Sequence, residues 1–213
     1  MTSIRNILKR LRPFRSAKYW EQRYAQGGTS GAGSYGRLAD YKAKFINEFA
    51  EKRDLREAVE FGSGDGHQCS HFSFDNYIGV DVSRNAIANC QEKLGHKAGW
   101  RFLHYKDAEV RTLKSPLVLS LDVIFHLVED RVFDEYMGKL FQTSTKYVLI
   151  YSSDHNEKTR NEHVRHRAYS DWIKERAPHF SLEAEWPHPF PMTHESDPNE
   201  TSFAHFKLFT RQS

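Results

Sequence analysis

The chain is poor in the features that usually announce a protein's class. Only two cysteines, Cys69 and Cys90, occur in 213 residues. Neither stands at a metal-ligand or redox spacing, which excludes a disulfide scaffold and a cysteine metal site and points to structural thiols in a reducing compartment. No apolar run is long enough to span a bilayer and the N-terminus lacks the apolar stretch of a signal peptide, so the expectation is a cytoplasmic protein. A surplus of charge is missing too. Lysine and arginine outnumber the acids by 31 to 28, and a net charge of +3 does not demand nucleic acid as a partner. Internal repeats and low-complexity tracts are absent. With 38% hydrophobic residues, a chain of this length buries one substantial α/β core and leaves little room for a second.

What is present concentrates in one stretch: Val59, Glu60, Phe61, Gly62, Ser63, Gly64, Asp65 and Gly66. An apolar run carrying an acid and ending in three alternating glycines predicts a buried strand entering a tight turn, where backbone approaches a ligand. A second strand-like run, Tyr77 to Val80, ends in Asp81. That is about the separation at which a doubly wound fold places an acid on a ribose, so the pair predicts a nucleoside-type cofactor. The third glycine comes one residue earlier than in G-x-G-x-x-G, which disfavours a pyrophosphate.

The stretch E-F-G-S-G-D-G, followed by Asp81, resembles the class I S-adenosylmethionine (SAM) methyltransferases, whose first motif is an acidic residue followed by G-x-G-x-G. The resemblance implies SAM as cofactor, with the glycine turn beneath its methionine moiety and the second-strand acid on the ribose hydroxyls. Those roles fall to Glu60, Gly62, Gly64, Gly66 and Asp81. It also implies a Rossmann-like fold: a mixed seven-stranded sheet of order 3-2-1-4-5-7-6 with helices on both faces.

Three regions divide the chain. Residues 1–18 carry Arg5, Lys9, Arg10, Arg12, Arg15 and Lys18 without an acid, while Ile4, Ile7, Leu8 and Leu11 recur at helical spacing. The pattern predicts a short basic amphipathic helix stopped by Pro13. It suits peripheral contact with an anionic inner membrane face or a protein complex; the alternatives are a helix packed on its own domain and a frayed tail. In residues 19–37, Tyr19, Trp20, Arg23 and Tyr24 lead into a glycine-rich run that ends at Ser34, Tyr35 and Gly36. The run reads as a flexible linker or, given its aromatic flanks, as a lid. It looks like the N-terminal segment of small bacterial methyltransferases associated with surface polysaccharides, and by that resemblance Ser34 and Gly36 become contacts to the methionine end. By the same resemblance residues 38–213 would be the methyltransferase domain, opening with a helix from Leu38 to Glu51 whose pattern predicts burial of Leu38, Tyr41, Phe45 and Phe49.

A helix starting near His67 should direct its N-terminus at the methionine carboxylate, with His67 and Gln68 as contacts or as solvent-facing first-turn residues. Ser83 is the expected N-cap of the helix running to Leu94. Asp107, after a third strand Trp100–Tyr105, occupies the place where the family binds the adenine amino group, unless it serves only the turn. The apolar fourth strand, Leu117–Leu121, ends in Asp122, Val123, Ile124, Phe125 and His126, which places these residues over the transferred methyl. Methyl transfer to an alcohol needs positioning and removal of a proton. His126 is the candidate base and Asp122 the orienting residue; the competing view of His126 is a turn residue bonded to backbone.

Past the fifth strand, Tyr147–Ser152, the residues Asp154, His155, His163 and Arg167 form a candidate acceptor site. His163 and His166, at i and i+3, invite a metal reading with Asp154 or His155. Without a clear carboxylate set the preferred reading is no metal and a basic cluster for a polar or anionic acceptor. Phe180–Trp186 and Ser202–Arg211 complete the sheet, joined by a stiff loop at 187–194 that lines a pocket. The acceptor indicated by the resemblance is a hydroxyl of a sugar or glycan intermediate. Two alternatives stand beside it: an inactive methyltransferase-like binding module of a glycan-assembly complex, and a nucleic-acid methyltransferase. The amine-methylating signature with Pro-Pro after the fourth strand is absent, which counts against base N-methylation.

Overall fold

The computed structural model describes residues 14–193, 195–197 and 199–212. The apolar stripe expected at 4–11 therefore lies outside the described residues, as does His194 of the expected loop. Five α-helices and five parallel strands build the first part of the fold. Helix α1 is Ser16–Ala25, α2 is Gly36–Lys52 and strand β1 is Glu57–Phe61. One helical turn, α3 (His67–Ser70), leads to β2 (Asn76–Asp81), α4 (Arg84–Leu94) and β3 (Trp100–His104). Then come β4 (Ser115–Leu121), α5 (Asp130–Thr143) and β5 (Ser144–Ser152). A small hairpin, β6 (Glu157–Lys158) and β7 (Arg165–His166), precedes α6 (Tyr169–Arg176), β8 (Phe180–Trp186) and β9 (His205–Arg211).

The seven-stranded sheet has the order β3-β2-β1-β4-β5-β9-β8. Once the separate β6–β7 ribbon is set aside, this is the expected order. β5 pairs parallel with β4 and antiparallel with β9, so the sheet is mixed.

Alternation along the strands divides the core between the two faces. Leu117, Leu119 and Leu121 of β4, with Leu149 of β5, pack under Ile46 and Phe49 of α2 and Cys90 of α4. Val118, Val148 and Ile150 point the other way, onto Met137 and Leu140 of α5 and Ile173 of α6. Both faces are covered, which is why the central strands are almost wholly apolar. Both cysteines are buried free thiols. Among the described residues no helix is long and apolar enough to cross a membrane.

Helix α2 buries Lys42 on the same stripe as Leu38, Ile46 and Phe49, whereas Tyr41 and Phe45 are only partly covered. Helix α1 runs through the boundary expected at residue 18. Its start is fixed by Glu129, whose carboxylate accepts from both the amide (3.0 Å) and the hydroxyl of Ser16.

Candidate active site

β1 pairs with β2 on one side and β4 on the other, so the strand order reverses at its carboxyl end. A crevice opens at such a switch point. Here it is a cleft partly open to solvent, lined by the glycine turn and the ends of β2 and β4. Gly62 and Gly64 form its floor with φ of 92° and 58°. A Cβ at Gly62 would overlap Val123, and one at Gly64 would overlap the Ser30 hydroxyl. The glycines therefore serve both backbone conformation and close packing. Gly66 (φ 82°) differs: it faces away, where a Cβ would press on Cys90 Sγ at 3.0 Å. Its role is to seat the turn on α4.

Two buried carboxylates stand in this cleft. Asp81 accepts from the amides of Gly64 (3.0 Å) and Ser83 (2.8 Å). Burial pushes its carboxyl up to about 6, against the pull of those hydrogen bonds. Burial likewise pushes Glu60 up to about 7, although Tyr77 donates its hydroxyl to that carboxylate. Beneath the turn Tyr136 donates to the Phe61 carbonyl at 2.9 Å.

The glycine-rich segment is docked on this turn. Asp65 accepts from the Ser30 amide at 2.8 Å and the Tyr35 hydroxyl at 2.7 Å, and the Asp65 amide donates to Ser30 Oγ at 3.0 Å. Tyr35 stacks on His67 with ring centres 4.0 Å apart. Ser34 lies in the cleft wall. Gly36 does not: its φ of 54° explains the glycine, yet a Cβ there would meet open space. Helix α3 is a single turn whose first amide is spent on Asp65 Oδ1 at 3.1 Å, so it offers no helix dipole to a carboxylate. Gln68 does line the cleft. Its Nε2 donates to the Ala39 carbonyl, while its buried Oε1 lacks a partner among the described residues.

At the end of β4 the chain takes a left-handed turn at Asp122 (φ 56°). The Asp122 amide donates to the Tyr151 carbonyl at 2.9 Å. Its carboxylate pairs with the ammonium of Lys42, a side chain only 1% exposed. His126 lies in the following turn and its Nδ1 stands 2.9 Å from the His163 carbonyl. A carbonyl only accepts, so Nδ1 carries the proton and Nε2 keeps the lone pair. Burial pulls the imidazole down to about 4, so it is neutral at pH 7. Trp20 meets the ring edge-on at 4.9 Å and His163 stacks over it at 5.4 Å.

A second cleft adjoins the first, lined by Gly31, Phe125, Asn161, His163 and Phe203 among others. Trp20, Ser34, Asp122 and His126 belong to the walls of both. The two residues assigned to chemistry from sequence thus stand between two adjoining spaces.

Other expected site residues are placed elsewhere. Asp107 accepts from the His104 amide at 2.9 Å and lies outside the cleft wall, so turn chemistry is its role. The Asp154 side chain is only 6% exposed, taking the Ser170 amide at 3.1 Å and Lys207 Nζ at 2.8 Å; it secures α6 to β9. Arg167 is also buried, donating to the carbonyls of Leu127 (2.9 Å) and Val128 (2.8 Å) and pairing with Asp130. Its donors are consumed by backbone, so it clamps the turn after β4 instead of meeting an acceptor. His155 is exposed beside Glu157 and borders neither cleft. Residues 163–166 are not helical, so His163 and His166 share no helical face.

Sequence reasoning missed Lys42, Asp65 and Tyr136. Lys42 carried a signal, since it lies four residues from both Leu38 and Ile46 on the buried stripe of α2. The other two depend on partners distant in sequence.

No protein-family model matches the chain, and the search of curated proteins gives no match. Solved structures do match in fold. The N-methyltransferase NodS from Bradyrhizobium japonicum, in complex with S-adenosylhomocysteine (SAH), aligns with a TM-score of 0.70 at 8% identity, over 94% of this chain and 100% of that one. A magnesium protoporphyrin IX methyltransferase from Synechocystis with bound SAM aligns at 0.63 and 12%, over 93% and 98%. The methyltransferase domain of bacterial CtHen1 aligns at 0.61 and 14%, over 81% and 97%. At these identities the likeness establishes the Rossmann-like methyltransferase fold.

Proposed function

We propose that the chain is a SAM-dependent methyltransferase acting on a small polar acceptor, by preference a hydroxyl of a sugar or glycan intermediate. The observation that carries this reading is the pair of adjoining clefts with Asp122 and His126 in their common wall. One cleft has the hydrogen-bond acceptors a nucleoside cofactor needs, and the structural neighbours that hold SAM or SAH support its identity. Asp81 is a buried carboxylate with no cationic partner among the described residues, suited to two ribose hydroxyls. Gln68 Oε1 is an unpartnered buried acceptor, suited to an ammonium. The floor at Gly62 and Gly64 leaves backbone free to approach the ligand.

Bound SAM would supply a methyl group on a good sulfonium leaving group. What remains for the protein is orientation and proton removal. His126 enters with Nε2 unprotonated and fixed in its tautomer by the His163 carbonyl. Asp122, held by Lys42, keeps the strand end in its left-handed turn and presents a carboxylate beside the same space. The second cleft combines aromatic faces, Trp20 and Phe125, with the polar edges of Asn161 and His163, a mixture that suits a polyhydroxylated acceptor.

The test is calorimetric titration with SAM, SAH and NAD, followed by assay of SAH release with sugar, nucleotide-sugar and amine acceptors. Micromolar binding of SAM and SAH without NAD, and turnover on a hydroxyl acceptor, is the expected result. Turnover on amines alone would give the acceptor assignment to the N-methyltransferase class that NodS represents. Absence of SAM binding would leave a non-catalytic module.

A further inference from the structure

We propose that His155, Glu157 and His166 bind one first-row divalent transition ion, and that this ion staples the β6–β7 hairpin whose tip borders the second cleft. The three side chains each offer a ligand atom, and those atoms lie within 4.8 Å of one another. Glu157 and His166 are direct cross-strand partners, which projects them to one face of the ribbon. His155 joins them from the approach to β6, its ring stacked on His166 at 4.6 Å. Its Nε2 stands 3.3 Å from Glu157 Oε2, about the separation of two ligand atoms each ~2.0–2.1 Å from a tetrahedral ion.

His166 is the anchored ligand. Its Nδ1 is 2.6 Å from the buried Ser153 hydroxyl, which fixes the ring and leaves Nε2 as the open nitrogen. Metal-binding histidines are commonly held this way through their second nitrogen. Two imidazoles and one carboxylate select zinc, cobalt, nickel or iron over magnesium and calcium, which favour all-oxygen shells. The set leaves room for water to complete the coordination.

The hairpin explains what such an ion would do. Each of its strands contributes only two residues, and an isolated pair of strands is marginal in water. Between them the chain runs out to Asn161, His163 and Val164, all in the wall of the second cleft. The His163 carbonyl is also the group that fixes the His126 tautomer. An ion at the base of the ribbon would therefore hold its tip in register with His126. The site is independent of the cofactor reading, and neither stands or falls with the other.

The experiment is titration of the chelator-stripped full chain with zinc and cobalt chlorides, alongside His155→Ala and Glu157→Gln. Both replaced side chains are exposed, so the fold is retained, which circular dichroism checks. The expected result is one equivalent bound at micromolar affinity or better, weakened at least about tenfold in each variant. Hydrogen exchange of 157–166 should slow when metal is added to the unsubstituted chain. Binding weaker than millimolar, or a loss under tenfold in either variant, overturns the site. Unchanged exchange at 157–166 overturns the staple.

Discussion

At pH 7 the candidate active site holds a neutral imidazole and, elsewhere in the same cleft, an aspartate whose ionisation burial opposes, and each has a measurable consequence. The Asp81 carboxyl is pushed up to about 6, above its ordinary value, so the ligand-free fold loses stability as pH rises from about 4 to 6 and the group ionises. Ribose hydroxyls donate best to the ionised form. SAM affinity should accordingly rise through pH 6 and level off above it, and Asp81→Ala should bind SAM at least about tenfold more weakly, with no such step. Calorimetry between pH 5 and 8 checks both statements. His126 has the opposite sign: its folded-state value, about 4, lies below that of the unfolded chain, about 6.5. Its contribution is complete above about pH 6.5 and is lost as pH falls toward 4, by up to about 3 kcal/mol. Arg23, His163 and Asp122 face the ring and adjust this value without reversing it. His126→Asn should flatten the urea-denaturation midpoint over that window relative to the unsubstituted chain. It should also reduce turnover by about 10²–10⁴-fold while sparing SAM affinity, and an equal loss of both would make the residue structural.

Among the elements, the segment between α1 and α2 depends most on a single residue. Asp65 receives the Ser30 amide and the Tyr35 hydroxyl, 35 and 30 positions away in sequence. Asp65→Ala removes both and leaves the main-chain amide of residue 65 on Ser30 Oγ (3.0 Å), Tyr24–Ser30 (3.0 Å) and the Tyr35–His67 stack to keep the segment on the glycine turn. Proteolysis within 26–34 should accelerate several-fold, while the denaturation midpoint falls by about 1–3 kcal/mol equivalent. If cleavage is unchanged, the segment is held by its aromatic contacts and not by Asp65. The glycine-rich run was legible from sequence as something other than regular structure, because glycine and the absence of apolar periodicity exclude helix and strand. Whether it lay free or closed was not legible, since the deciding carboxylate sits in another element. Asp154 and Arg167 mislead for the same reason. Both have the residue type of an acceptor site, yet their partners are Lys207, 53 positions away, and the Leu127 carbonyl, 40 positions away.

For the whole molecule, a ligand that binds only the folded state raises its stability by mass action. SAM at about 100 times its dissociation constant adds about 2.7 kcal/mol, which for a chain of this size shifts Tm by roughly 5–10 °C. NAD should give no shift, and a thermal scan with either ligand checks this. Sequence alone determined the strands of the large sheet and the glycine turn that floors the cleft, while their order was what the family resemblance implied. The strands and the turn follow from short-range physics: apolar residues that need two covered faces, glycines that accept a left-handed turn without strain, and an acid at a strand's carboxyl end. Tertiary structure decided which polar side chains past β4 and β5 remain open to a ligand. A carboxylate or guanidinium is available only when no nearer partner satisfies it, and those partners come from elements far apart in the chain. Lys42 meets Asp122 across 80 positions and thereby fixes the turn that sets His126 between two clefts, an arrangement only the folded chain specifies.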